Sequence, residues 1–322
     1  MNYTYKNIWL INFPVMMSIL IEQLINITDA LFLGHVGDVE LGASALAGIW
    51  FLAIYMLGFG FSLGLQVIIA RRNGEQWYAE TGKTFFQGLF FLLILAVLLC
   101  MLSKIFSPVL LKHLITSDDV YNAVIRYLDW RIWGLLFSFP FLALRSFLVG
   151  ITQTKALNMA AFTAVLVNIP LNWLLIFGFD MGISGAAIAS SSAEMCSLAV
   201  LAAYMFRHID KKAYGLYWRI DITVLKEVFS ISVWSMLQFF TSVAIWFLFF
   251  VAIERLGETE LAVSNIVRSV SALFSVIVNA LAGVTGSLVS NLIGAGEKKQ
   301  VFPLCHKIIR LGYATGIPLI TF

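Results

Sequence analysis

Nine apolar runs follow one another along this chain, each long enough as a helix to cross about 30 Å of hydrocarbon. They cover approximately residues 9–33, 43–70, 84–103, 123–144, 157–178, 184–206, 227–253, 262–292 and 308 to the end. The breaks between them read as turn chemistry: GHVGD after the first run, RRNGEQWYAETGK after the second, GFDMG after the fifth and RHIDKKAYGLYWRID after the sixth. No soluble core can absorb so many such runs. The chain of 322 residues is 60% hydrophobic and 12% charged, with a mean hydropathy of +0.90, whereas a soluble domain carries about a quarter charged residues. Strand-sized segments of alternating polarity are missing, which excludes a β-barrel. The fold expected is an all-α integral membrane protein. Its first run is too long for a signal-peptide core and is kept as a membrane helix.

Basic residues set the expected orientation. With the N-terminus in the cytoplasm, inside segments hold 15 Lys and Arg residues, including Arg71, Arg72, Arg145, Lys211 and Lys212. Outside segments hold only Lys104, Lys112, Arg126, Arg131 and Arg255, and Arg268 is the one base left within a span. The location implied is the inner or plasma membrane, multi-pass, with the lipid bilayer as surroundings. The net charge of +3 gives no indication of nucleic acid. Cys100, Cys196 and Cys305 show neither CxxC nor zinc spacing and read as reduced and structural. Trp9, Trp77 and Tyr78 lie at span ends and read as interfacial anchors.

The longest polar interruption comes after six runs, and the sequence repeats across it. A shift of 220 residues lays HVGDVELGASAL (35–46) over RLGETELAVSNI (255–266), matching Gly37 with Gly257, Glu40 with Glu260, Leu41 with Leu261 and Ser44 with Ser264. The same shift sets Gly74 on Gly294 without a gap. These four identities in the dozen positions exceed a chance expectation of about one. An even number of helices separates the copies, so they are parallel repeats about an axis along the membrane normal. The expected organisation is an N-terminal six-helix lobe at 1–206, a cytoplasmic inter-lobe linker at 207–226 and a partial C-terminal lobe of about three helices at 227–322. Phe322 falls on Leu102 under the shift, so the chain is expected to be truncated within its second lobe.

The first run contains two carboxylates. Glu22 and Asp29 are seven residues apart, two turns less about 20° of rotation, and Asn26 between them completes one polar stripe. A charge near the bilayer centre costs on the order of 2.5–3.5 kcal/mol even on lenient scales, so this stripe faces a lobe interior or a wet cavity rather than lipid. Either the acids pin helix packing or they serve ion coupling. A carboxyl group that is dry in one conformation and wet in another can take up a proton in the first and release it in the second. Pro14 removes a backbone hydrogen bond, making it a hinge candidate or else a first-turn proline. Asn168 and Asn172 stack on one helix face with Pro170 between them, as helix-to-helix glue or as cavity lining. Glu194 in SSAEMCS is a third buried acid, open to a cavity or a packing role. Gly60 and Gly64 in GFGFSLG form a GxxxG spacing that permits close helix contact. In the seventh helix, Gln238, Thr241 and Ser242 are expected to be accompanied by no acid before Glu254 at its outer end.

Several stretches together resemble the multidrug and toxic compound extrusion (MATE) transporters. NIPLNWLLIFGFDMGISGAAIAS (168–190) is similar to that family's passage from helix five to six, and LVGITQTKALNM (148–159) to the loop before it. ITSDDVYNAVIRYLDW (115–130) resembles its start of helix four, and Pro14 with Asp29 its first helix. The resemblance implies two six-helix lobes that rock between outward- and inward-open states, exporting amphiphilic, often cationic compounds in exchange for protons or sodium ions. It makes Asp29 the coupling acid, with Glu22, where the family more often has Gln, beside it. It makes Asn26, Asn168, Asn172 and Glu194 cavity residues, with both asparagines sharing a network with Asp29. In the family the first helix bends when the acid is protonated, and Pro14 is the matching hinge candidate.

Sodium-coupled members use acids in the second lobe, so their absence here favours protons, although Asp29, Asn168 and Asn172 are hard oxygen ligands that suit sodium. No cofactor and a monomer are expected. A flippase for lipid-linked oligosaccharide precursors, from the same superfamily, is the alternative; its diphosphate cargo calls for cations in the cavity. A membrane-embedded enzyme finds no support, because HExxH, GxSxG and P-loop motifs are missing and His35, His113, His208 and His306 lie at loops or span ends.

Overall fold

The computed structural model describes residues 3–115, 117–217, 221–254 and 258–321, with the side chains at 247, 248, 250–252, 254, 258–266, 268–270, 272–274 and 318–321 outside that description. Arg219, Arg255 and Gly257 therefore lie outside the described residues, as do the side chains of Glu254, Glu260, Leu261, Ser264 and Arg268. The described chain is a succession of helices: α1 (Tyr5–Val36), α2 (Asp38–Gly74), α3 (Tyr78–Leu114), α4 (Asp118–Arg131), α5 (Leu135–Gly150), α6 (Lys155–Trp173), α7 (Gly182–His208), α8 (Ile222–Glu254), α9 (Glu258–Gly294) and α10 (Val301–Thr321). Among the described residues eight helical segments are long and apolar enough to cross a bilayer, the fourth being α4 and α5 joined by a 3-10 turn at Ile132–Gly134. The chain is an all-α, multi-pass membrane protein.

Helix starts follow local chemistry. The Thr4 hydroxyl accepts from Asn7 N–H at 3.3 Å to cap α1, and the Ser117 hydroxyl accepts from Val120 N–H to cap α4. Asp118 and Asp119 add negative charge in the first turn of α4. Pro14 lies buried in the tenth position of α1, past the first turn, so the helix-start reading does not hold. Near the end of α6, Pro170 lacks an N–H, and the chain widens into a π turn at Leu174–Gly178 before α7 packs back along it. A Cβ on Gly185 of α7 would come within 2.9 Å of the Leu175 carbonyl carbon, so glycine permits that return. Within the stretch 207–226 expected as a linker, α7 runs to His208 and α8 begins at Ile222.

The repeat has a direct counterpart. Helices α2 and α9 are each 37 residues long, and their bounds differ by the 220-residue shift. Both are followed two residues later by a left-handed backbone, Gln76 at φ 61° and Gly296 at φ 77°. Their C-terminal ends cross at glycine: Gly74 lies directly against the Asn291 backbone and Gly294 directly against the Arg71 backbone. Under the shift each contact maps onto the other, which is a pseudo-twofold crossing.

Bonds between the two groups of helices gather at this end. Gln66 Nε2 donates to the Gly283 carbonyl and the Ser287 hydroxyl, both at 2.8 Å. Asn73 Nδ2 donates to Asn291 Oδ1 at 2.7 Å, and Asn291 Nδ2 donates to the Gly150 carbonyl at 2.9 Å. The GxxxG spacing is a packing device: Gly60 admits the Met236 backbone and Gly64 admits Ser232 of α8. Arg72 pairs with Glu227 at 2.7 Å, and Lys83 with Asp221 at 2.7 Å. Glu227 thus supplies an acid at the very start of α8 that the apolar reading of this helix passed over. Among the described residues, the bonds and ring contacts from α2 to α8 and α9 run from Phe59, whose ring meets Phe239 at 5.2 Å, to Gly74.

Candidate ion and substrate site

Asp29 projects from the C-terminal half of α1 toward α6 and α7. Its Oδ1 accepts from Asn172 Nδ2 at 2.5 Å and its Oδ2 accepts from the Ser190 hydroxyl at 2.7 Å. Asn172 Nδ2 also reaches Asn168 Oδ1 at 3.0 Å, and Asn168 Nδ2 reaches the Ser190 oxygen at 3.3 Å, so the four side chains close a ring of bonds. The i,i+4 spacing of the asparagines places both amides on one buried face of α6. One atom of the ring is left over: Asn172 Oδ1 is buried without a hydrogen-bond partner among the described residues. It is an acceptor beside a carboxylate, positioned to receive a proton donor or a cation. A neutral carboxyl offers an O–H where the ionised form offers only acceptors, so protonation of Asp29 gives this ring a donor it otherwise lacks.

Glu194 is not an open cavity acid. Arg131 grips it with Nη2 to Oε1 at 2.5 Å and Nη1 to Oε2 at 2.9 Å, and the Ser138 hydroxyl donates to Oε2 at 3.0 Å. The guanidinium lies over the Phe51 ring at 3.9 Å. Gly134, in the turn that breaks α4 from α5, leaves space for the pair, since a Cβ there would stand 2.7 Å from Glu194 Oε2. This corrects the assignment of Arg131 to an outer segment. Its side chain is 12% exposed and sits inside the fourth span, where Arg145 of α5 joins it, so Arg268 is not the lone base within a span.

Glu22 and Asn26 take no part in the Asp29 ring. Both are exposed, and neither makes a hydrogen bond or ion pair among the described residues. On α2 the Tyr55 ring meets Phe51 at 6.3 Å, Phe59 at 6.4 Å and Phe139 at 6.4 Å. Sequence reasoning missed Ser190, Arg131, Ser138 and Tyr55. The signal available for Arg131 was its position inside the 123–144 run; for Ser190, only its spacing of four from Glu194 on one helix face. Among the described residues no group of three His, Cys, Asp or Glu side chains is placed to hold a metal ion. Cys100, Cys196 and Cys305 are free thiols.

Known proteins share this sequence pattern and architecture. The family model MatE matches residues 14–174. A multidrug resistance protein NorM of Idiomarina loihiensis is 23% identical over 301 residues, covering 89% of this chain and 63% of that protein. Its counterpart in Rhizobium meliloti is 24% identical over 306 residues, covering 93% of this chain and 65% of that protein. The chain thus spans just under two thirds of the length of these curated relatives. Among solved structures, an outward-facing multidrug resistance MATE family transporter of the MOP superfamily superimposes with a TM-score of 0.91 at 20% identity, over 99% of this chain and 71% of that one. A MOP superfamily transporter from Pyrococcus furiosus, whose binding pocket is described as reversed in polarity, gives 0.88 at 20% identity, with the same coverage of each chain. The family is one of transporters, not enzymes, and the chain belongs to it: this is a MatE family protein.

Proposed function

We propose that this chain works as part of a secondary active multidrug efflux antiporter, exporting amphiphilic cationic compounds in exchange for protons. The lobe at 1–206 and the partial lobe from 227 rock about the crossing of α2 and α9, whose Gly74 end is the cytoplasmic one. The observation that carries this reading is the Asp29 ring with its spare acceptor, Asn172 Oδ1. An acid whose oxygens are both engaged by neutral donors can exchange an ion for a rearranged set of hydrogen bonds, and that exchange gives α1, α6 and α7 two packings to choose between. Pro14 is the point on α1 where the change in helix direction is absorbed. Sodium in place of protons would use the same oxygens, Asp29, Asn168 Oδ1, Asn172 Oδ1 and Ser190, all hard donors.

Efflux of a fluorescent cation from cells carrying the full-length protein tests the reading. Wild type is expected to lose efflux when the pH gradient is collapsed and to be insensitive to sodium, while Asp29→Asn exports little at any gradient. Efflux by Asp29→Asn that matches wild type and responds to the gradient as wild type does would remove Asp29 from the coupling.

A further inference from the structure

The 220-residue shift that relates α2 to α9 also relates α8 to α1, so the two groups of helices meet along two comparable seams: α2 and α3 against α8, and α9 and α10 against α1. The seams are built differently at matched places. In the first, Gly60 and Gly64 admit α8, and the buried Ser232 hydroxyl donates to the Phe61 carbonyl at 3.1 Å. The matches of Gly60, Gly64 and Ser232 in the second are Ala280, Val284 and Asn12. Asn12 is fully buried, and neither its Nδ2 nor its Oδ1 has a hydrogen-bond partner among the described residues. Beside it, the Thr154 hydroxyl of the loop before α6 donates to the Ile11 carbonyl at 2.9 Å, which ties α1 to its own group. At the Gly74 end the first seam is latched by Arg72 to Glu227 and Lys83 to Asp221, both at 2.7 Å, and by the Asp221 N–H, which donates to Gln87 Oε1 at 3.0 Å. Arg72, Lys83 and Gln87 fall on Leu292, Pro303 and Lys307, so apolar residues stand where the first seam has its two latch cations. Lys307 Nζ donates to the Tyr3 carbonyl at 3.0 Å, and there a cavity of about 230 Å³ is lined by Tyr3, Leu292, Gln300, Pro303, Leu304 and Lys307. The walls of a void forfeit contacts, and a buried amide without partners bears the full desolvation of its groups.

We propose that the two seams have unequal roles: the seam of α2 and α3 with α8 is the hinge, and the Gly74 end opens by parting α1 from α9 and α10, driven by the unsatisfied Asn12 amide. The inference goes beyond the exporter reading, from which it takes only that the two groups rock. With the seam parted, the amide reaches water and regains its hydrogen bonds; with the seam closed, it forgoes them. That difference biases the open-to-closed ratio by about 5- to 150-fold. The bond from Thr154 keeps α1 with α6 while α9 and α10 move away.

Spin labels read the two seams separately in full-length protein held in lipid nanodiscs, with the native cysteines replaced. Label pairs matched by the shift are placed at 78 with 226 across the first seam and at 298 with 6 across the second. Sampled by double electron–electron resonance from pH 5 to pH 8, the wild-type sequence is expected to keep one short distance for 78–226 and to add a longer one for 298–6. Asn12→Leu, similar in volume and without an amide, is expected to lower the long component of 298–6 by about 5- to 150-fold relative to the short one. Asn12→Ser with Val284→Gly copies the Ser232 and Gly64 arrangement into the second seam and is expected to act in the same direction, so the test does not hang on one variant. Arg72→Gln with Lys83→Gln unlatches the first seam and is expected to bring a long component into 78–226. Long components at both pairs in the wild-type sequence, or at 78–226 alone, overturn the unequal seams and leave the rocking standing. An unchanged 298–6 distribution in both Asn12 variants overturns the role of the amide. A single short distance at both pairs throughout, in the unlatched variant as well, overturns the rocking itself.

Discussion

The crossing of α2 and α9 makes a sharp prediction, because it is backbone on backbone and matched by the repeat. A Cβ on Gly74 would lie 2.8 Å from the Asn291 carbonyl carbon and 2.9 Å from its Cα; a Cβ on Gly294 would lie 3.0 Å from the Arg71 carbonyl carbon and 3.0 Å from Glu75 N. Ordinary van der Waals contact for a Cβ begins at 3.4 Å, and no side-chain rotation relieves a clash with backbone. Gly74→Ala and Gly294→Ala therefore part the helices at this end. The bonds at risk are Asn73 to Asn291 and Asn291 to the Gly150 carbonyl. At about 0.5–1.5 kcal/mol net for each bond, the closed state loses roughly 1–3 kcal/mol relative to a state open at this end. That corresponds to a population shift of about 5- to 150-fold.

Spin labels on cysteines introduced at 77 and 298, in full-length protein whose native cysteines are replaced, report the separation by double electron–electron resonance. Each alanine variant is expected to move the distribution toward longer distances, and by comparable amounts, because the two contacts are related by the pseudo-twofold. Unchanged distributions in both variants, or a shift in one alone, would refute the crossing as the closure.

The Arg131–Glu194 pair predicts a strong asymmetry between single and double changes. Arg131→Met leaves Glu194 uncompensated and is expected to destabilise by about 3–5 kcal/mol, while Arg131→Met with Glu194→Gln recovers most of it; thermal melting in detergent reads both. Gly134→Ala pushes a methyl group against the same pair and is expected to lower the melting temperature, with little further loss once the pair has been replaced. Ser190→Ala removes the hydroxyl shared by Asp29 and Asn168 and is expected to cost about 1–3 kcal/mol in the same assay. Outside the membrane, the Lys83 ammonium, aided by the N–H groups of Val224 and Thr223, holds the Asp221 carboxyl below its ordinary value. A depressed carboxylate stabilises the fold above its unfolded pKa and loses that contribution as pH falls through the folded value. Protection of the 209–217 segment against hydrogen exchange is therefore expected to fall on acidification below about pH 4, the unfolded range for an aspartate, and the acid-dependent step disappears in Asp221→Asn.

What the sequence made legible had a period or a local spacing. The apolar runs have a length that hydrocarbon imposes, and the repeat reappears as two 37-residue helices with glycines at matched ends. The i,i+4 spacing of Asn168 and Asn172 held because helix geometry alone puts them on one face. Ser190 was hard to read for the opposite reason: α7 also carries Ser184, Ser191, Ser192 and Ser197, and the spacing of four from Glu194 does not tell that its hydroxyl meets α1 across 161 residues of chain. Arg131 was hidden by its own helix. Helix α4 opens with Asp118, Asp119, Asn122 and Arg126, and Arg131 was counted with an outer segment although the 123–144 run contains it, while the turn at Ile132–Gly134 beside it leaves no trace in hydropathy.

Charge parity offered a way past this. Intramembrane charges occur in pairs or face water, yet the sequence reading counted Glu22, Asp29 and Glu194 against Arg268 alone and left three acids with one partner. That imbalance was itself a reason to draw Arg131 and Arg145 into the spans. Once they are inside, Glu194 has its mate in Arg131, and Asp29 has its amide and hydroxyl partners.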